Sequence, residues 1–318
     1  MALRGIISQR KKYSLQDTII VAGSPRSGTT WLTKVLGSTR EYSIISEPLH
    51  PARFPEAVRS GFSARTYRPA GETWVTGEEY LKRVFTGKIS SSRFAGMEDF
   101  TSAILSDKLV VKFIRATRLL PWLSEKFDVR QIILLIRHPC AVVASQSRSG
   151  YSGYNNLLSG RDVGPGKEEI LNEAREIDSV DETIIKKIER ITTPEELLAT
   201  AWCIDNYVPL TSTQKHKWLL APYEKLTMNS PGSIKEIADM CGIVFSRKNL
   251  KNITTPSRTA SNDLKISDIR QLSKWKDHLS KEQIAKILNI VSAFGLDFYN
   301  DAIFPDYERL GEKGTKVV

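Results

Sequence analysis

Three groups of residues in this 318-residue chain have the types and spacing to do chemistry. The stretch Gly23-Ser24-Pro25-Arg26-Ser27-Gly28-Thr29-Thr30-Trp31-Leu32 joins an apolar run, Thr18–Ala22, to a helical pattern reaching Leu36. A strand, a glycine-bearing loop and a helix N-terminus together bind anions, because the loop N–H groups converge and the helix dipole favours negative charge. Arg137 closes another apolar run, Gln131–Ile136, and Pro139 suits the first turn of a following helix. Ser145 then lies about two turns into that helix. Arg137 and Ser145 can thus offer a charged donor and a hydroxyl to a second anion beyond the strand ends. Glu47 follows the run Tyr42–Ser46 and places a carboxylate past a strand's C-terminal end.

The spacing of Gly23 and Gly28 matches G-x-x-x-x-G-K-[ST], the phosphate loop of kinases and NTPases. Thr29 stands where that loop needs its lysine, and the cation sits inside the loop at Arg26. A kinase without this lysine lacks its main charge on the transferring group. The pattern therefore favours a single 5′-phosphate that carries something other than a phosphate chain.

Pro25-Arg26-Ser27-Gly28-Thr29-Thr30-Trp31 resembles the 5′-phosphosulfate loop of the sulfotransferase family, whose second residue is Lys or Arg. Arg137 and Ser145 resemble its 3′-phosphate motif, an Arg and a Ser eight residues apart after a strand. The resemblance extends more loosely from about Thr18 to about Tyr299. It implies the donor 3′-phosphoadenosine 5′-phosphosulfate (PAPS), released as adenosine 3′,5′-bisphosphate, with no metal. It also implies that Ser27, Gly28, Thr29 and Thr30 hold the 5′ side of the donor, and that Arg26 reaches the sulfuryl group and bridging oxygen. Arg137 and Ser145 would anchor the 3′-phosphate. Trp31 would lie against the adenine, unless it is a core residue on the inner face of the first helix.

Sulfuryl transfer to an alcohol releases a proton, which a carboxylate or histidine must accept. Glu47 is the candidate base, with His50 as a second; a salt bridge to a basic residue is the competing role for Glu47. The segment Glu47-Pro48-Leu49-His50 resembles that of Golgi-type carbohydrate sulfotransferases. In Val111–Arg115, Ile114 stands where phenol and steroid sulfotransferases carry a histidine base, and Lys112 with Arg115 resembles the Lys-x-x-Arg of the carbohydrate group. The resemblance is thus closer to the carbohydrate (Golgi-type and bacterial) branch and implies a sugar-containing acceptor, with a small-molecule or lipid alcohol as the alternative. Arginines and aromatics between 51 and 107, among them Arg65, Arg68, Phe62 and Trp74, suit such a partner, as does the loop Tyr151–Asn156. Lys217–Leu226, and Lys274-Trp275-Lys276 with Leu279, resemble later family segments. Ser257-Arg258-Thr259 could close over the 3′-phosphate.

Strands must carry these residues to one crevice. Thr18–Ala22, Tyr42–Ser46, Leu109–Ile114, Gln131–Ile136 and Lys217–Ala221 read as buried strands between helical patterns. They predict an α/β fold, a P-loop nucleoside-kinase-like parallel sheet flanked by helices. One domain is expected, with a basic tail over 1–14, a core from about 18 to 299 and a C-terminal tail over 300–318. The net charge of +10 suits an anionic donor, and no motif suggests a nucleic-acid partner. The three dispersed cysteines, Cys140, Cys203 and Cys241, fit a reducing compartment. There is no transmembrane-length apolar run and no signal-like N-terminus, so a cytoplasmic location is expected. The four scattered histidines form no metal-ligand cluster with the cysteines. A non-catalytic nucleotide-binding protein would share the anion loops and is the rival class.

Overall fold

All five side chains of β1 (Thr18–Ala22) are 0% exposed, which requires both faces of its sheet to be covered. The structure, a computed structural model, describes residues 13–89, 106–149, 166–246, 249, 268–312 and 316–318. Tyr151–Asn156, Ser257–Thr259 and Arg10-Lys11-Lys12 lie outside the described residues. β1 pairs in parallel with β3 (Lys108–Phe113) and β4 (Gln131–Ile136); β2 (Tyr42–Ser46) pairs with β3, and β5 (Leu219–Pro222) with β4. The order is β2-β3-β1-β4-β5-β6, where β6 is Lys316–Val317.

Strand alternation divides the core in two. Ile19, Val21, Val110, Ile133 and Leu135 face one side, where α1 (Thr29–Leu36) contributes Leu32 and Val35. Ile20, Val111, Ile132 and Leu134 face the other. That second layer is thicker. It holds α2 (Val75–Phe85), α3 (Leu120–Lys126), α4 (Pro139–Arg148), α5 (Lys167–Arg175) and α6 (Pro194–Thr211). After β5 the chain forms α7 (Tyr223–Met228) and α8 (Ser230–Met240), and α8 packs beside α1 on the thinner side. Later come the short α9 (Trp275–His278) and α10 (Lys281–Ala293). Among the described residues no helix is long and apolar enough to cross a membrane.

Three expected boundaries shift for local reasons. β3 begins at Lys108 opposite Tyr42 and ends at Phe113, because the Ile114 N–H turns to the Glu47 carboxylate instead of a neighbouring strand. β5 starts two residues later than Lys217, which closes a short 3-10 turn. The segment expected as a C-terminal tail, 300–318, supplies β6, and Val318 donates its N–H to the Leu220 carbonyl at 3.0 Å.

The sheet lines up its C-terminal ends so that Gly23, Glu47, Ile114 and Arg137 emerge along one edge. Close approach sets what the β1 exit can be. A Cβ on Gly23 would lie 2.5 Å from the Leu135 carbonyl oxygen, part of the β4 backbone. The β4 exit is fixed as firmly. His138 caps α4 by accepting from the Cys140 N–H, so its other ring nitrogen donates to the Asn300 carbonyl at 2.9 Å. Its ring stacks on Trp275 at 4.5 Å. The buried Glu224 carboxylate accepts from the His138 N–H at 2.8 Å and from the Tyr299 hydroxyl at 3.0 Å. Burial pushes the His138 imidazole down to about 4, so it packs neutral.

Gly23→Ala is expected to lower stability by about 2–3 kcal/mol in urea denaturation, because the clashing partner is strand backbone rather than a movable side chain. Retention of the wild-type midpoint would show that β1 and β4 can part at this point. His138 gives a pH test. The unfolded imidazole binds a proton near pH 6.5, whereas the folded one resists until about pH 4. Its contribution is therefore complete above the unfolded value and is withdrawn as pH falls through that window. The loss amounts to something on the order of 3 kcal/mol. His138→Asn retains a capping acceptor without the titration, and its stability should fall less steeply between these pH values. Parallel slopes for the two proteins would rule this origin out.

Candidate active site

Arg26 and Glu47 are the two non-glycine residues with positive φ among those described, at 72° and 55°. An L-residue there costs about 1–2 kcal/mol, so surrounding contacts must hold it. Three groups from the β4–α4 unit hold Arg26. Gln146 Nε2 donates to the Pro25 carbonyl at 3.1 Å, and Arg137 Nη1 donates to the Arg26 carbonyl at 3.1 Å. The Arg26 Nε donates in turn to Ser145 Oγ at 3.0 Å. Beneath them the Ser24 and Ser27 hydroxyls meet at 3.0 Å, and Asn206 reaches Ser24 at 3.4 Å. Gly28, at φ 100°, caps α1 with its backbone, and a Cβ there would strike the Tyr223 ring at 2.6 Å.

The two anion-binding motifs separated along the chain therefore meet through two hydrogen bonds, Arg26 to Ser145 and Arg137 to the Arg26 carbonyl. Their charges are uncompensated. Among the described residues, Arg26, Arg137 and the nearby Arg148 have no carboxylate within 4.0 Å. Burial, followed by the charges of Arg137 and then Arg148, pushes the Arg26 guanidinium below its ordinary range. Arg137 lies 4.6 Å over the Tyr223 ring, and its buried Nε has no hydrogen-bond partner. A buried donor left unpaired beside like charges is costly, and an anion bound there would offset that cost. These residues fit a phosphorylated nucleotide.

Glu47 occupies the other end of the crevice. It is 4% exposed and continues the β2–β3 ladder through its N–H to the Lys112 carbonyl at 3.0 Å. Its Oε2 accepts from the Ile114 N–H and from Arg115 Nη1, both at 3.2 Å. Lys112 Nζ stands 3.2 Å from Oε1, which makes no directed hydrogen bond, and 3.1 Å from Thr30 Oγ1. The basic partners of Glu47 are thus Lys112 and Arg115. Lys112 joins the head of α1 to the carboxylate. His50 donates its N–H to the Glu47 carbonyl at 3.0 Å, which closes the turn after β2.

Ser27 and Thr29 are buried, and Gly28 and Thr30 are half-buried, around the head of α1. Trp31 is 4% exposed and meets Tyr223 edge-on at 5.9 Å, on the side of α1 that faces the core. The aromatic segment read as acceptor-facing is used differently. Phe62 packs on Trp74 at 4.4 Å, and Trp74 on Trp122 at 5.4 Å, all within the core. Arg65 pairs with Glu173 at 2.7 Å and Asp205 at 2.9 Å, while Arg68 lies 4.7 Å over Trp74. Burial pushes the Glu173 carboxyl up to about 7, against the pull of Arg65 and Arg118. Sequence alone gave no sign of Gln146, Asn206 or Trp202, whose indole N–H holds the Arg137 carbonyl at 3.1 Å. Each is a polar group in a helix that looks unremarkable until the helices pack.

No curated protein matches the chain. Among solved structures it is similar to the sulfotransferase domain from the Synechococcus PCC 7002 olefin synthase, at 17% identity and TM-score 0.48, covering 92% of this chain and 97% of that one. It is also similar to the sulfotransferase domain from the curacin biosynthetic pathway, at 16% identity and TM-score 0.45, covering 87% and 96%. A third is mouse sulfotransferase SULT7A1 complexed with PAP, at 14% identity and TM-score 0.42, covering 92% and 87%. Residues 18–247 match the model of the sulfotransferase family, a span that includes the phosphate loop, Glu47, Arg137 and Ser145. The chain belongs to the sulfotransferase family.

Proposed function

We propose that the protein transfers a sulfuryl group from PAPS to an acceptor hydroxyl. The observation that carries this reading is the junction of Arg26, Arg137 and Ser145, a cation pair with no carboxylate among the described residues within 4.0 Å and with an unpaired buried donor. When bound, PAPS supplies an activated sulfuryl group on a phosphate leaving group. The N–H groups from Ser27 to Thr30 and the two threonine hydroxyls bind its 5′-phosphate at the head of α1. Arg137 and Ser145 hold the 3′-phosphate. Trp31, a residue only 4% exposed, offers the adenine little surface.

Arg26 and Glu47 divide the chemistry. Arg26 stabilises the negative charge that develops on the leaving oxygen, which requires its guanidinium to swing from Ser145 towards the 5′ side. Glu47 takes the acceptor's proton at Oε1, the oxygen without a directed hydrogen bond. Protonation weakens the pull of Glu47 on Lys112, whose ammonium already touches Thr30. Lys112 is then free to favour the phosphate side of the crevice. A sugar hydroxyl is the acceptor we favour, on the resemblance of Glu47–His50 and of Lys112 and Arg115 to the carbohydrate branch. The buried rings of Phe62 and Trp74 add nothing to that choice.

Thermal-shift titration tests the donor. Adenosine 3′,5′-bisphosphate should stabilise the protein more than AMP does, and Arg137→Ala should remove the difference, a loss of about 2 kcal/mol or some thirtyfold in affinity. Equal shifts for the two nucleotides in the wild type would overturn the assignment. The catalytic roles are tested by labelled-sulfate transfer. Glu47→Gln should lower kcat by roughly a hundredfold or more while leaving bisphosphate affinity intact. Arg26→Ala should cost on the order of a hundredfold or more in kcat. Unchanged turnover in Glu47→Gln would remove the base from this position. Labelled transfer across sugars, phenols and lipid alcohols tests the acceptor class, and preference for a phenol would refute the sugar reading.

A further inference from the structure

Arg148 has no role in the site as described so far, yet it stands one helical turn beyond Ser145, which holds Arg26. It lies three residues after Ser145 in α4, so the two share a helix face. Its Nε donates to the Ala144 carbonyl at 3.3 Å, which folds the side chain back against its own helix. Its Nη1 donates to His278 Nε2 at 2.7 Å, at the end of α9, 130 positions further along the chain. Those two bonds use two of the five guanidinium donors. Its charge is felt at Arg26, the residue bonded to Ser145. Arg65, Arg115 and Arg118 each reach a carboxylate, but Arg148 has none among the described residues.

We propose that Arg148, oriented by His278, is a third guanidinium of the 3′-phosphate site and enforces the choice of a 3′-phosphorylated nucleotide. This inference rests on the donor reading given above. Arg137 approaches from the exit of β4, Ser145 presents its hydroxyl from the helix face, and Arg148 extends that face by one turn. A phosphate dianion has three acceptor oxygens, so a second and third donor from a different direction are needed to saturate it. An arginine left exposed on a helix samples many rotamers, and anchoring to an imidazole reduces that freedom before the ligand arrives. His278 can accept this bond only through an unprotonated Nε2. It belongs to the Lys274–Leu279 segment, whose Trp275 also stacks on His138 beside Arg137. One short helix thus supports both arginines of the proposed phosphate grip.

Calorimetric titration with adenosine 3′,5′-bisphosphate and with AMP tests the proposal without turnover. Arg148→Gln should weaken the bisphosphate about five- to tenfold and leave AMP affinity unchanged, the scale of one exposed charge-assisted contact. His278→Ala should give a smaller loss confined to the bisphosphate. His278→Gln, whose amide oxygen can accept from Arg148, should restore most of it. Wild-type bisphosphate affinity in Arg148→Gln, or equal weakening of both nucleotides, would overturn the role. Failure of Gln to rescue where Ala loses affinity would overturn the part assigned to His278. Arg137→Ala separates this inference from its foundation. If Arg137→Ala abolishes the preference for bisphosphate and Arg148→Gln does not change it, only the role of Arg148 falls. If the wild type shows no preference at all, the donor reading falls with it.

Discussion

The arrangement depends on holding two guanidiniums, Arg26 and Arg137, side by side with no carboxylate among the described residues within 4.0 Å of either. Burial first, and then the like charges of Arg137 and Arg148, push the Arg26 guanidinium below its ordinary range. The backbone holds the pair through rigid contacts. Arg26 is held at φ 72° by groups on β4 and α4, and Arg137 is held by Trp202 through its carbonyl and by the Tyr223 ring. Removing any one anchor would let the cations spread into solvent, where they attract an anion less strongly. The strain and the repulsion are of a kind found where a ligand supplies the missing counter-charge.

The opposite end of the crevice has the reverse problem. Glu47 is a buried carboxylate, and it is satisfied by Lys112, Arg115 and the Ile114 N–H. Its positive φ turns the chain sharply after β2, so the side chain doubles back towards β3 instead of leaving with the loop. Because β3 lies between β1 and β2, Lys112 bridges the head of α1 and Glu47. The parallel order of the strands therefore sets the order of charges along the edge: Arg137, Arg26, Lys112, Glu47.

Much of this was legible in the sequence where chemistry and local structure coincide. The glycine spacing around Arg26, the strand before Arg137 and the serine two turns later are local signals, and four of the five expected strands overlap the observed ones closely. Legibility ended where a role depends on packing. Phe62 and Trp74 look identical in sequence whether they face a ligand or the core; the structure stacks them with Trp122 inside. Trp31 was open for the same reason, and its ring is mostly committed to Tyr223 and the core. The Arg26–Ser145 bond joins residues 119 positions apart and exists only because β1 neighbours β4. β6 is two residues long, too short to show a period.

The bond between Arg26 and Ser145 sets a further condition on how the site works. The same serine hydroxyl holds the cation proposed to stabilise the leaving oxygen and belongs to the proposed 3′-phosphate site. A hydroxyl has one proton to give and two lone pairs, so it can accept from Arg26 while donating to a phosphate oxygen. A donor bound at its 3′ end therefore need not displace Arg26, and the guanidinium can leave Ser145 later, when charge builds at the leaving oxygen. Arg26 would then stabilise the transition state more than the ground state, which is the condition for raising kcat and not affinity alone. The distance it must travel is limited by its backbone, clamped at Pro25 and at its own carbonyl. A fixed main chain with one movable side chain confines the switch to the guanidinium, and the phosphate loop itself stays in place.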